Sequence, residues 1–325
     1  MSSLRVSIVA PVHIQPSEEW IVSVEKARGA HSVLIVDDSN GKVALPSSWH
    51  LYDYARQKEH LGEEYFEKFR QFHRSPPCKN FGIWRAWKDG ADVIVVIDSD
   101  CNVPENFVEE HVRALEGTGD AWENPLEGTG WRSRGLPYHK RARPVDVHMG
   151  LWTNELDING RDRVLHGVPP KMPLQTEHKI AHGVVPLSGM NLAFKRDVAP
   201  AMMFAPHFDH EEWKFRRHDD IWGGYVLQKI MQKLDTKVSY GGPFVFHDTI
   251  VDPARDAEDE EAMIAHEERF YDAVDRIFSR IKGSNYQELF RAFTEDAMRT
   301  FEDEHREFVP LLPAYQFWVD SFSRE

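Results

Sequence analysis

Along the first hundred residues the apolar positions switch between two periods. Arg5 to Val12 and His31 to Val36 are short β-branched runs, the second followed by the turn cluster Asp37-Asp38-Ser39-Asn40-Gly41. Ala91 to Ile97 (ADVIVVI) is apolar almost throughout, as expected of a central parallel strand covered on both faces. Between these runs the spacing predicts helices at Ser17 to Ala30, about Tyr54 to Phe72, and Cys78 to Lys88. Strand–helix–strand alternation predicts a doubly wound α/β sheet. Ligands of such sheets sit beyond the carboxyl ends of the strands.

The pattern then weakens. From about Glu116 to Leu187 the chain is rich in Gly, Pro, Arg and His and reads as a long functional loop region. Met190 to Phe194 predicts a strand, and Asp219 to Leu234 a helix with Trp222, Val226, Ile230 and Leu234 on one face. Val238 to His247 returns to strand. After Pro253 the reading is helical, with an acidic opening at Asp256 to Glu261 and an apolar stripe from Ile264 through Phe270, Val274 and Phe278 to Ile281. These patterns predict an α/β domain over residues 1–252 and a helical extension packed on it over 253–325. The extension reads as a cap or as a surface for homo-oligomer assembly.

Composition narrows the class. At 41% apolar and 28% charged, 325 residues make ample core for a globular chain. No apolar run approaches the ~20 residues a membrane span needs, and the start, MSSLRVSIVAPVH, has no signal-peptide features. The two cysteines, Cys78 and Cys101, exclude a disulfide framework and a four-cysteine zinc site. A cytoplasmic protein is the expectation. The formal charge of −14 argues against a nucleic-acid partner. It also means that a diphosphate ligand would have to be held by local arginines or a divalent cation.

Four groups of residues carry candidate chemistry. Asp98-Ser99-Asp100 follows the all-apolar strand, where carboxylates reach the ligand crevice and suit Mg²⁺ or Mn²⁺; the same triplet also reads as a helix cap before Pro104. His247, at the end of another strand, is a candidate further ligand, although one histidine among 17 is more often ordinary surface or core. Asp219-Asp220 opens a helix and suits either an N-cap or a site for sugar hydroxyls beside Trp222. Arg132, Arg134, Lys140, Arg141 and Arg143 form a basic cluster able to clamp a diphosphate, or a solvated loop. His207, His210, Glu211 and Glu212 lack zinc spacing and read as a solvated loop.

Taken together, the motifs resemble the reversibly glycosylated polypeptides, or UDP-arabinopyranose mutases (glycosyltransferase family 75). The resemblance runs from about Arg5 to Asp248 through Cys78-Lys-Asn-Phe-Gly82, Ile97-Asp-Ser-Asp-Cys101, Arg134-Gly-Leu-Pro-Tyr-His-Lys-Arg141, Gly150-Leu-Trp152, Ser188-Gly-Met-Asn-Leu-Ala-Phe194, Asp219-Asp-Ile-Trp222 and Val245-Phe-His247. It implies a GT-A-type fold, a UDP-sugar ligand and Mn²⁺ or Mg²⁺. By position it implies Asp98, Asp100 and His247 at the metal, and Arg134 and Arg141 with Asp219 and Asp220 at the reacting sugar. Pro11, Val12, Asp37, Asp38, Lys79, Asn80, Asp98 and Asn191 would then line the nucleotide. The implied reaction is interconversion of pyranose and furanose rings, with a retaining glycosyltransferase as the alternative and a non-catalytic scaffold subunit behind both. The chain departs from the plant members, which carry Asp-Asp-Asp at 98–100 and Asp-Asp-Met-Trp-Ala-Gly at 219–224.

Overall fold

The structure, a computed structural model, describes residues 4–39, 43–63, 78–119, 126, 129, 131, 133–135, 142–167 and 178–323. The first half holds strands β1 (Val6–Val12), β2 (Ser32–Asp37), β3 (His50–Tyr52), β4 (Val93–Ile97), β5 (Cys101–Asn102), β6 (Thr118–Gly119) and β7 (Arg143–Asn154). Its helices are α1 (Glu18–Ala27), α2 (Tyr54–Leu61), α3 (Cys78–Lys88) and α4 (Phe107–Leu115). After α5 (Gly160–His166) come β8 (Lys179–Ile180), β9 (Asn191–Lys195), β10 (Phe208–His210) and β11 (Trp213–Phe215). Then follow α6 (Asp219–Leu234), β12 (Lys237–His247), α7 (Pro253–Arg280), α8 (Tyr286–Glu304) and α9 (Leu312–Ser321).

The main sheet runs β3-β2-β1-β4-β9-β7-β12-β5. β1, β2, β3 and β4 are parallel, and β9 is antiparallel to both β4 and β7. Two reversals restore direction, so β7 and its parallel neighbour β12 point the same way as β4. The ends of β1, β4, β7 and β12 therefore share one edge, and β9 begins there. That edge carries the site.

Both faces of the sheet are covered. Val6, Ile8, Ala10 and Val12 of β1 pack with Val93, Val95 and Ile97 of β4 under α1 and α4. Val9, Ile94 and Val96 face the other way, into a core shared with α3, α6 and the C-terminal helices. Here the apolar stripe of α7 is spent: Phe270, Val274 and Ile277 are fully buried. Phe270 stacks on Trp222 of α6 at 4.3 Å between ring centres. Trp222 is thus core, not an aromatic wall for a sugar.

The loop reading of 116–187 is corrected by β7, a twelve-residue strand paired with both β9 and β12. Its polar residues disguised it, and they are buried with partners. His148 binds Ser239 Oγ at 2.8 Å and the Gly242 carbonyl at 2.7 Å. Asp146 accepts from Tyr286 at 2.8 Å and pairs with Lys195 at 3.0 Å. Of the long helix expected from Tyr54, the stretch to Leu61 is helical; residues 64–77 lie outside the described part.

Candidate functional site

At the shared strand edge the chain turns out of β4 through Asp98-Ser99-Asp100 into β5. β5 pairs antiparallel with the end of β12, setting Cys101 opposite His247. This pairing brings Asp100 Oδ2 to 3.5 Å from His247 Nε2. His247 Nδ1 donates to the Glu155 carbonyl at 2.9 Å, which fixes the ring and turns Nε2 toward Asp100. Cys101 Sγ lies 3.7 Å from Asp100 Oδ1. The ligand-capable atoms of Asp100, Cys101 and His247 all fall within 4.8 Å of one another. Burial disfavours charge on both Asp100 and His247, yet their mutual hydrogen bond and attraction win, lowering the Asp100 pKa and raising that of His247. A carboxylate and an imidazole facing an open cleft suit a cation such as Mn²⁺ that completes its shell with water and phosphate.

Asp98 is engaged elsewhere. Its Oδ1 sits 2.6 Å from Nζ of Lys79, whose ammonium also donates to the Gly189 carbonyl at 3.1 Å. Lys79 is 4% exposed. Burial alone would lower its pKa, but Asp98, Asp219 and Asp220 together raise it, so the ammonium keeps its charge. Of the three residues expected at the metal, Asp100 and His247 are joined while Asp98 pairs with lysine.

Three adjoining cavities of about 600, 570 and 450 Å³ all have Asp98 in their walls and form one branched cleft. The first runs along the β1–α1 loop past Pro11, Ile14 and Ser17 to Asp100. The second is walled by Trp152, Asp157, His207, Arg217, Asp219 and Asp220. The third holds Arg163, Arg217, His247 and the start of α7.

Asp219 and Asp220 begin α6 and are driven apart electrostatically. Burial penalises both charges. His207, with Nε2 at 3.5 Å from Asp219, together with Lys79 overcomes this and lowers the Asp219 pKa. Asp220 accepts from the Gly189 amide at 2.9 Å, but burial and the charges of Asp219 and Asp157 hold its pKa well above the usual carboxylate range. The two neighbouring carboxylates are thus pushed in opposite directions, the separation from which acid and base roles arise.

Other expected residues lie elsewhere. Asn80 is buried and bonds both polar groups of its amide to the Phe204 backbone at 2.9 Å. Asn191 is fully buried, donating to the Leu151 and Pro243 carbonyls and paired with His111. A methyl at Gly150 would overlap the Asn191 amide, so the two motifs interlock. The polarity of both asparagines is therefore satisfied by the protein, which corrects their placement at a ligand. Pro11 lines the cleft, whereas Val12 is buried in the sheet core. Asp37 caps its own turn through Ser39, and Asp38 accepts from Tyr54 at 2.9 Å and faces His13 at 3.3 Å; neither lines the three cavities. Arg134 is exposed and does not line the three cavities, and Arg132, Lys140 and Arg141 lie outside the described residues. Arg143 pairs with Asp235 at 2.6 Å at the start of β7, the far edge of the sheet.

Two further side chains of the cleft were not among the expected site residues. His207 belongs to the short hairpin side of the cleft and holds Asp219, which corrects the solvated-loop assignment. Arg217, half-buried, links Glu260 at 3.0 Å, Asp256 at 3.4 Å and Asp157 at 4.0 Å. Its position two residues before Asp219 was the available signal.

The chain is thus an α/β protein with a carboxylate-lined cleft at the strand ends, where the Asp100–His247 pair adjoins Asp219 and Asp220. The sequence profile of the reversibly glycosylated polypeptide family matches residues 17–324, and the chain belongs to that family. It is 25% identical over 268 residues to the probable UDP-arabinopyranose mutase 1 of Pisum sativum, covering 75% of this chain and 70% of that one. UDP-arabinopyranose mutase 1 of Oryza sativa subsp. japonica is 24% identical with the same coverage. Among solved structures, glucosyl-3-phosphoglycerate synthase from Mycobacterium tuberculosis, crystallised with Mn²⁺ and UDP-glucose, aligns with a TM-score of 0.43 at 15% identity over 83% of this chain and 80% of that chain. No helix among the described residues is long and apolar enough to cross a membrane.

Proposed function

We propose that this protein is a UDP-sugar mutase on a GT-A-type domain, exchanging the pyranose and furanose rings of a UDP-pentose such as UDP-arabinose. The observation that carries the reading is the Asp100–His247 pair beside the Asp219–Asp220 pair in one cleft, in a chain whose relatives bear the mutase name. Asp100 and His247 would hold Mn²⁺ or Mg²⁺, which when bound neutralises charge on the diphosphate. Lys79, fixed by Asp98, adds a buried positive charge in the wall shared by the first two cavities.

Ring exchange requires the anomeric C–O bond to UDP to break and re-form while the ring oxygen changes from that on carbon 5 to that on carbon 4. One hydroxyl loses a proton and another gains one. Asp219 accepts the first and Asp220 supplies the second; passage of the proton from Asp219 to its neighbour Asp220 then restores both for the next turnover. The freed sugar stays in the second cavity, between Trp152 and Arg217. Arg134 and Arg141 act on the sugar by resemblance, with Arg134 a positioning and electrostatic group first, since guanidinium stays protonated. A cytoplasmic location and assembly through the outer faces of the C-terminal helices complete the reading.

Incubation of the purified protein with UDP-arabinopyranose and Mn²⁺, without acceptor, is expected to yield UDP-arabinofuranose. Slow release of UDP alone would instead identify a glycosyltransferase, and no turnover at all a scaffold.

A further inference from the structure

Asp100 and His247 do not stand alone at the strand edge. Cys101 completes a three-residue group: Cys101 and His247 are paired across β5 and β12, and Asp100 ends the turn leading into β5, its carbonyl accepting from the Asp248 amide at 2.8 Å. We propose that Cys101 is a sulfur ligand at this position, and that the site therefore captures thiophilic divalent cations, Cd²⁺ and Zn²⁺, through sulfur, oxygen and nitrogen.

The distances fit. Metal–ligand bonds of about 2.0–2.3 Å in a tetrahedral shell place neighbouring ligand atoms roughly 3.3–3.8 Å apart. Sγ of Cys101 is 3.7 Å from Asp100 Oδ1, Nε2 of His247 is 3.5 Å from the other carboxylate oxygen, Oδ2, and one ligand atom from each residue lies within 4.8 Å of the others, so a small turn of the Asp100 carboxylate gathers the three onto one cation. The fourth position opens on the cleft, since Asp100 and His247 line it. The imidazole is already oriented by the Glu155 carbonyl, the kind of outer contact that steadies a metal-bound histidine. Mg²⁺ and Mn²⁺ favour oxygen and leave the thiol aside, whereas Zn²⁺ and Cd²⁺ recruit it. On capture the S–H bond breaks, a sulfur–metal bond forms, and the proton passes to the buffer.

Cys78, the second cysteine, is an internal control. It lies in the core on the other face of the sheet from Cys101.

The inference rests on the metal reading of Asp100 and His247, and the test separates the two. The full-length protein is titrated with CdCl₂ while the thiolate-to-cadmium ultraviolet absorption is followed, and ¹¹³Cd magnetic resonance of the unaltered protein reports sulfur in the shell. The expected result is one bound Cd²⁺ with the sulfur signature, abolished in Cys101→Ser and retained in Cys78→Ser. Cys101→Ser should leave Mn²⁺ affinity, read by paramagnetic resonance, within about twofold, while Asp100→Asn weakens both metals at least ~10-fold. A ¹¹³Cd shift without sulfur, or an absorption band that survives Cys101→Ser, overturns the proposal while Mn²⁺ binding leaves the metal reading intact. Failure of the unaltered protein to bind either metal overturns both.

Discussion

Helix α6 belongs to two regions built on opposite rules. At its first turn Asp219 and Asp220 face the cleft, buried and acidic, with their charge balanced through His207 and Lys79. One turn later Trp222 lies flat on Phe270 in a core of aromatic rings from α6, α7 and α8. The aromatic region gains stability from every contact it makes. The cleft keeps buried charges together at a cost in desolvation, which is worth bearing only where a charged ligand later joins them. The aromatic region serves to hold the cleft still.

That division of labour can be broken from either side. The largest effect is expected for Asp100→Asn, which should lower Mn²⁺-dependent turnover of UDP-arabinopyranose about 10³-fold, roughly 4 kcal/mol of transition-state stabilisation, with an unchanged melting temperature. Phe270→Ala should do the reverse, costing about 3–5 kcal/mol of stability in urea unfolding while leaving kcat of the folded fraction near its starting value. A larger loss of kcat than of stability would mean that the two regions are not separable.

Acid should reach the scaffold through its buried histidines. Burial depresses the pKa of His148 to about 4, aided by neighbouring His178, and His218 is likewise held at about 4 by burial. A depressed histidine is neutral in the fold but charges in the unfolded chain, so stability is complete above about pH 6.5 and falls as the pH drops toward 4. Thermal melts across that window should show the decline, and His148→Gln should flatten it by on the order of 2 kcal/mol. Lys79→Met is expected to cost about 3 kcal/mol, the lower end for a broken buried pair because Asp98 is partly open to the cleft; adding Asp98→Asn should recover part of the stability but none of the activity. Arg143→Ala, at the far edge of the sheet, should change stability by less than about 1 kcal/mol and leave turnover alone.

The sequence was readable where a strand is apolar on both faces. ADVIVVI marked β4 and, with it, the position of Asp98 and Asp100, and the family resemblance placed His247. It was opaque at β7, because Asp146 and His148 look solvent-seeking until their partners on β9, β12 and α8 are known. The same ambiguity acts in reverse at Asn80 and Asn191, which look like ligand groups but close backbone hydrogen bonds inside the core. Polarity in a sequence says that a partner is needed. Only the fold says whether the partner is protein or ligand, and this is also why His207 reads as a solvated loop and Arg217 does not stand out.

The central claim, that a divalent cation at Asp100 and His247 secures the diphosphate, is tested most directly by calorimetry of UDP binding with and without Mn²⁺. The account expects UDP uptake by the unaltered protein to strengthen at least ~10-fold when Mn²⁺ is present, and Asp100→Asn to lose that gain. Equal UDP affinity with and without Mn²⁺, or a gain that survives in Asp100→Asn, would contradict it.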